Sequence, residues 1–135
     1  MEYCNNFNIN IRTGVIFVDV NHLKYTNDTY GHETGDFLLQ LVVDRINARF
    51  AREESQIFRI GGDEFVIVME DISKNICEEK ALALRKDLHN NEFGHLPRVL
   101  ASLGWSWSEH ASNFERIVRE ADTNMYLAKQ EDKTH

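Results

Sequence analysis

The chain has one proline and two cysteines among 135 residues, and both scarcities remove possibilities. With Pro97 alone, and no glycine- or serine-rich stretch beside it, nothing marks an internal linker. Cys4 and Cys77 have neither CxxC spacing nor a nearby histidine pair, so neither a zinc site nor a disulfide framework is suggested. A reducing cytoplasm is the expected compartment. Long apolar runs are also missing: Val15-Ile16-Phe17-Val18 falls far short of the roughly 20 residues that span a bilayer, and no signal-peptide pattern opens the chain. Direct membrane insertion of this piece is not expected, although an anchor could lie outside it. Basic residues are outnumbered, 15 against 22 acidic, and the resulting charge of -7 repels a phosphate backbone, so no nucleic-acid partner is expected. What is present is a 42% hydrophobic fraction, enough for one core and too little for two, so residues 1–135 read as a single domain.

Periodicity orders the elements. Val15 to Val18, entered through Gly14 and closed by Asp19, reads as a strand buried on both faces. Asn21 to His32 contains Asn27-Asp28 and Gly31, which predicts a short turn-rich or helical passage. A helix is expected from about Glu33 to Ala51, with Phe37, Leu38, Leu41, Val42, Ile46 and Phe50 as its buried stripe. Gln56 to Ile60 and Glu64 to Met69 are strand-like runs joined through Gly61-Gly62-Asp63, with glycines where a tight hairpin needs positive φ. A helix from about Ser73 to His89 carries Ile76, Ala81, Leu84 and Leu88 and ends near Asn90-Asn91, residues suited to a left-handed cap. Arg98 to Trp107 gives a further strand, on which Trp105 and Trp107 alternate with serines as packing residues. Asn113 opens a last helix with Phe114, Ile117, Val118, Ala121, Met125 and Tyr126 on its apolar side. Cys77 reads as a small hydrophobe within its helix.

The order βαββαβα constrains geometry. A strand-helix-strand crossover is right-handed and makes its strands parallel, so strands one and two end at the same edge and the hairpin returns strand three between them. Asp19 and Asp63-Glu64 should therefore meet at one edge. Strand four runs parallel to strand three, and the last helix must travel back, bringing Lys129 and Lys133 toward those carboxylates. Clustered carboxylates repel one another unless a cation sits among them, and hard oxygen ligands select Mg²⁺ or Mn²⁺. Mg²⁺ takes only one or two protein carboxylates and completes its shell with water and substrate phosphates, which suits a metal-bound nucleoside triphosphate. Gly61 and Gly62 remove side chains that would block close approach of phosphate or ribose, and Lys24, Lys129 and Lys133 could neutralise phosphate oxygens. By itself, a Gly-Gly-Asp-Glu hairpin could equally face water.

Arg59-Ile60-Gly61-Gly62-Asp63-Glu64-Phe65 resembles the RxGGDEF signature of the diguanylate cyclases. Phe17 to Asp28 resembles the family's FxDxDxFKxxND, Gly31-His32 with Gly35-Asp36 its GHxxGD, Ala121 to Lys129 its ADxAMYxAK helix, and Ser102-Leu103-Gly104 its SxG strand. The likeness runs from about Gly14 to Lys133. It implies an α+β fold of nucleotidyl cyclase type: a ferredoxin-like, palm βαββαβ core with helices packed on a central, mainly antiparallel sheet. It also implies condensation of two GTP into cyclic di-GMP and pyrophosphate across a homodimer, each GGDEF domain holding one GTP.

Residue by residue, the resemblance implies that Asp19, the Val20 carbonyl and Asp63 hold Mg²⁺ (or Mn²⁺), with Glu64 supporting a second ion. Asp63 and Glu64 are the catalytic pair, and Asp63 helps deprotonate the ribose 3′-hydroxyl. Asn27 and Asp36 recognise guanine, whose N1-H and N2 amine a carboxylate can accept, whereas adenine presents a lone pair there. Gly61 and Gly62 line the substrate, and Lys24, Lys129 and Lys133 meet phosphates, although arginine is usual at position 133. Asn21 replaces a more frequent aspartate, from where it could still orient water or a ligand, and His22 replaces an aromatic residue. The family's leading DxLTGLxNR segment finds no match ahead of Gly14, so the chain is expected to be cut close to the catalytic core. The family's product-inhibition motif, RxxD, corresponds to Arg52-Glu53-Glu54-Ser55, where serine replaces the aspartate, and inhibition by product through this usual site is expected to be lost. The alternative to an active cyclase is a weak or inactive GGDEF module that binds GTP and regulates a neighbouring domain.

Overall fold

The computed structural model describes residues 11–51, 55–110 and 112–133. β1 (Thr13–Val20) lies inside a four-stranded sheet, between β3 (Glu64–Glu70) and β4 (Ala101–Ser108), with β2 (Ser55–Arg59) on the far side of β3. Every neighbouring pair is antiparallel. β1 and β2 thus share one direction and β3 and β4 the other, as the crossover argument requires. Four helices complete the order: α1 (Leu23–Tyr30), α2 (His32–Phe50), α3 (Lys74–His89) and α4 (Phe114–Asp132).

Side chains on a strand alternate between faces, and here both faces are apolar. Ile16, Val18, Val20, Phe65 and Ile67 point to a core completed by Leu38, Val42, Ile46 and Phe50 of α2 and Cys77, Ala81, Leu84 and Leu88 of α3. Val15, Phe17, Val66 and Val68 point the other way, onto Phe114, Ile117, Val118, Ala121 and Met125 of α4. The result is α2 and α3 on one face and α4 on the other, an α+β architecture.

Gly104 fixes how closely α4 approaches. A Cβ built there would stand 2.0 Å from the Met125 nitrogen and 2.5 Å from the Ala121 carbonyl oxygen, so strand and helix backbones are in direct contact. Trp105 and Trp107 pack against the opposite core, and the Trp107 indole donates to the Ile72 carbonyl at 2.7 Å.

Several sequence expectations need correction. Phe37, Ile76 and Tyr126 are exposed at 41%, 44% and 59%. Each stands next to a buried residue, Leu38, Cys77 or Met125, and is rotated about 100° from it, enough to leave the inner stripe. Phe37 instead meets Phe93 edge to face, ring centroids 5.0 Å apart. Gly61 and Gly62 do not adopt positive φ, a conformation that among the described glycines belongs to Gly31 at φ 94°. The β2–β3 connection is four residues long, Ile60 to Asp63, and loops of that length are built around turns that leave φ negative. Arg59 closes it by donating to the carbonyls of Gly61 and Gly62 at 3.2 and 2.5 Å. Asn90 is not a left-handed cap, its φ being -102°. The guanidinium of Arg45 reaches across from α2 to donate to the Asp87 and Asn90 carbonyls, so the helix end needs no left-handed residue. β4 begins at Ala101, not Arg98, because the preceding backbone is engaged elsewhere: Leu100 N–H donates to Leu88 and the Val99 carbonyl accepts from Asn21. Cys4 and the Arg52-Glu53-Glu54 part of the inhibition motif lie outside the described residues, and Ser55 opens β2.

Candidate active site

The end of β1 and the start of β3 are held edge to edge. Asp19 and Glu64 are register partners, and the Val20 N–H donates to the Asp63 carbonyl at 2.9 Å. The strand pairing thereby gathers Asp19, Asp63 and Glu64 at one edge, as topology predicted. From the opposite face of the sheet, α4 returns to this edge, and Lys129 Nζ donates to Asp19 Oδ2 at 2.8 Å. The other oxygen, Oδ1, is buried and has no hydrogen-bond partner.

The electrostatics follow from that crowding. Burial pushes the Asp19 carboxyl above its ordinary range; Lys129 opposes this, and the nearby Asp63 adds to it. Glu64 is also raised, first by burial, then by the charges of Asp19, Asp63 and Asp122. Crowding that holds Asp19 and Glu64 above their usual range is the condition a cation relieves. Among the described residues no three carboxylate, imidazole or thiolate groups form a ready-made metal cage. Mg²⁺ does not require one, since it uses one or two carboxylates and fills its shell from water and phosphate. The orphaned Asp19 Oδ1 and the hard oxygen donors around it fit such an ion.

Lys133 and Lys129 line a cleft of about 180 Å³ with Asn21, His22, Arg98 and Asp132. Lys24 stands exposed on α1 and makes no ion pair with the carboxylates among the described residues. His22, exposed and left-handed at φ 55°, turns the chain from β1 into α1. Gly62 leaves open space where a side chain would stand, whereas a Cβ on Gly61 would come within 3.3 Å of a Glu64 carboxylate oxygen.

Asn27 is seated on Gly35, the residue before Asp36, a glycine whose role the sequence reading left out. Gly35 is buried in the first turns of α2, and a Cβ there would fall 1.6 Å from Asn27 Oδ1. The Asn27 amide thus rests on the Gly35 backbone, beside the exposed Asp36. The available signal was a glycine inside a helical pattern, which is costly unless something must approach closely.

Asn21, at the edge of the cleft lined by Lys129 and Lys133, has its amide engaged within the protein. It is 5% exposed, and its amide donates to the Val99 carbonyl at 3.1 Å and to Ser102 Oγ at 3.0 Å. Ser102 in turn donates to Asp132 Oδ2 at 2.5 Å. His89 Nε2 lies 3.8 Å from Asp132 Oδ1, and burial holds this imidazole below its ordinary pKa. A larger hollow of about 420 Å³, lined by Arg49, Lys80, Asp87 and Glu79, contains none of the clustered carboxylates.

Comparison with known proteins agrees with this geometry. The sequence model for "Diguanylate cyclase, GGDEF domain" matches residues 4–135. Diguanylate cyclase DgcN of Escherichia coli is 37% identical over 133 residues, covering 93% of this chain and 31% of its own length. Diguanylate cyclase DosC of the same organism is 32% identical over 126 residues, covering 87% of this chain and 27% of its own. This chain therefore spans less than a third of either relative. Among solved structures, the GGDEF domain of YfiN (TpbB) from Pseudomonas aeruginosa superposes with TM-score 0.73 at 27% identity, covering 96% of this chain and 82% of that one. The active GGEEF domain of a diguanylate cyclase from Vibrio cholerae gives TM-score 0.77 at 24% identity over 89% of this chain and 78% of its own, a likeness of fold. With a family match along nearly the whole chain and the signature carboxylates at one sheet edge, the chain belongs to the GGDEF domain family.

Proposed function

We propose that residues 1–135 form one catalytic GGDEF domain that condenses two GTP molecules into cyclic di-GMP. The observation that carries this reading is the meeting of Asp19, Asp63 and Glu64 at the β1–β3 edge with Lys129 opposite. In each half-reaction a ribose 3′-oxygen attacks the α-phosphorus of the other GTP, an O–P bond forms, the bond to the β-phosphate oxygen breaks, and pyrophosphate leaves. Two such steps close the ring.

Asp19, the Val20 carbonyl and Asp63 would hold Mg²⁺ or Mn²⁺, with Glu64 supporting a second ion. Such ions supply charge stabilisation to triphosphate chemistry. The side chains do the rest. Asp63 accepts the 3′-hydroxyl proton, and its place at a loop tip lets it reach a nucleotide bound across the cleft. Lys129 and Lys133 meet phosphate oxygens along the wall of α4, and Lys24 does so from α1. Gly61 and Gly62 admit ribose and phosphate close to the loop backbone. Asn27, seated on Gly35, and Asp36 present an acceptor-rich edge to guanine. Catalysis of this kind rests on positioning and charge.

One domain supplies one nucleotide, so the working unit is a homodimer whose two sites face each other. The expected setting is the cytoplasm, where GTP and Mg²⁺ are present. Among the described residues no helix is long and apolar enough to cross a membrane. The test is incubation of an artificially dimerised domain with GTP and Mg²⁺, with products identified by mass spectrometry. Cyclic di-GMP is expected from the parent and none from Asp63→Ala, which removes a loop-tip carboxylate that the core does not need. Equal turnover in the two proteins would overturn the assignment, and absence of product from a GTP-binding parent would favour a regulatory module.

A further inference from the structure

We propose that Asp132 is a positioning residue: through Ser102 and Asn21 it locks the last turn of α4, and this lock keeps Lys129 on Asp19. The effect on catalysis rests on the functional reading above; the lock itself does not. Two buried polar side chains, Asn21 just after β1 and Ser102 of β4, meet the partly buried Asp132 of α4 here. Their hydrogen bonds run in one direction. The Asn21 amide donates one N–H to the Val99 carbonyl and the other to Ser102 Oγ, which leaves the Ser102 hydroxyl proton for Asp132 Oδ2. The serine hydroxyl also lies 3.4 Å from Asn21 Oδ1, but its single proton favours the charged acceptor at 2.5 Å. Within a poorly solvated site such a chain strengthens its own members.

Asp132 is three residues beyond Lys129, and residues at that spacing share one helix face. Anchoring Asp132 to β4 therefore fixes the rotation of the turn that carries the lysine. Asn21 lies two residues after Asp19, so the same chain ties both ends of the Lys129–Asp19 pair to one strand edge. This arrangement also accounts for asparagine where the family more often has aspartate. A carboxylate at position 21 would have no proton for the Val99 carbonyl or for Ser102, and it would add a second negative charge beside Asp132.

The experiment compares the parent domain with Asp132→Ala, Ser102→Ala and Asp132→Asn. In the first arm the lysines are reductively ¹³C-methylated, and the Lys129 resonance, assigned through Lys129→Arg, is followed by NMR without nucleotide. Asp19→Asn supplies the position of the unpaired lysine. Both alanine variants are expected to move the resonance toward that position, whereas Asp132→Asn, which keeps an acceptor for Ser102, leaves it near the parent. In the second arm, affinity for a non-hydrolysable GTP analogue with Mg²⁺ should fall about tenfold in the alanine variants and not in Asp132→Asn, the scale of losing an outer-shell support. An unmoved Lys129 resonance in both alanine variants overturns the proposal. So does an Asp132→Asn effect equal to that of alanine, which would assign the role to charge, or unfolding of either alanine variant, which would make the network a stability element. If the parent binds no GTP analogue, the functional reading fails while the first arm still decides the lock.

Discussion

Lys129 and Asp19, 110 residues apart in sequence, stand 2.8 Å apart, and the lysine occupies only one of the two carboxylate oxygens. Even with this ammonium present, burial keeps the Asp19 carboxyl above its usual range, so the fold holds its charged form at a cost. Asp19→Asn keeps the shape and removes the charge. We expect the variant to melt no lower than the parent while its Mg²⁺-dependent affinity for GTP falls by about tenfold or more, the size expected when support for a metal is lost. Thermal melting and calorimetry check the two halves, and a lower melting temperature with affinity intact would reverse both.

Gly35→Ala should separate recognition from stability. The new methyl group meets the free end of the Asn27 side chain, which can swing aside without disturbing backbone. Alanine also gains about 1 kcal/mol of helix propensity over glycine. The variant should melt at or above the parent temperature, yet bind GTP about tenfold more weakly and discriminate less against ATP. Competitive binding of the two nucleotides reads this out. Unchanged selectivity would show that Asn27 does not need its seat.

Arg49 of α2 and Asp87 of α3 form an ion pair that holds the Asp87 carboxyl below its usual range, chiefly by hydrogen bonding. A depressed carboxylate pKa contributes stability that is present above the unfolded-state value and is lost as pH falls through the folded-state one. Asp87→Asn should therefore be less stable than the parent at neutral pH, by no more than about 1 kcal/mol because both side chains are partly solvated. The difference should close in acid and shrink with added salt. Denaturant titrations at several pH values check it, and a gap that persists in strong acid would contradict the pairing.

A charge of -7 opposes self-association of the isolated domain. Specific activity should accordingly rise with enzyme concentration, being low in dilute solution and restored by fused dimerisation. Initial rates across a dilution series test this. Full activity at nanomolar protein would contradict a reaction shared between two domains.

Much of the frame was legible because hydrophobic period and crossover handedness act locally and seldom conflict. They placed β1 beside β3 and returned α4 to the carboxylate edge before any contact was known. Side-chain detail was harder where a neighbour from a distant element supplied what local chemistry seemed to demand. Arg45 satisfies the end of α3, so Asn90 needs no left-handed turn. Phe37 fits a helical stripe by spacing, but the Phe93 ring, 56 positions on, gives it an outer partner. Asp132 carried no motif at all, and its weight comes from Ser102 and Asn21 meeting it in space.

The contact at Gly104 has a bearing on where this chain can grow. Because α4 rests on β4 backbone to backbone, the helix is keyed at Ala121 to Met125 like a shaft in a slot. Residues added before Phe114 lengthen a connection and leave the key in place. One residue inserted between Met125 and Lys129 would instead turn the lysine by about 100° and advance it about 1.5 Å, carrying it off Asp19 while the buried helix stays seated. Length variation should therefore be tolerated at the entry to α4 and forbidden over its last two turns.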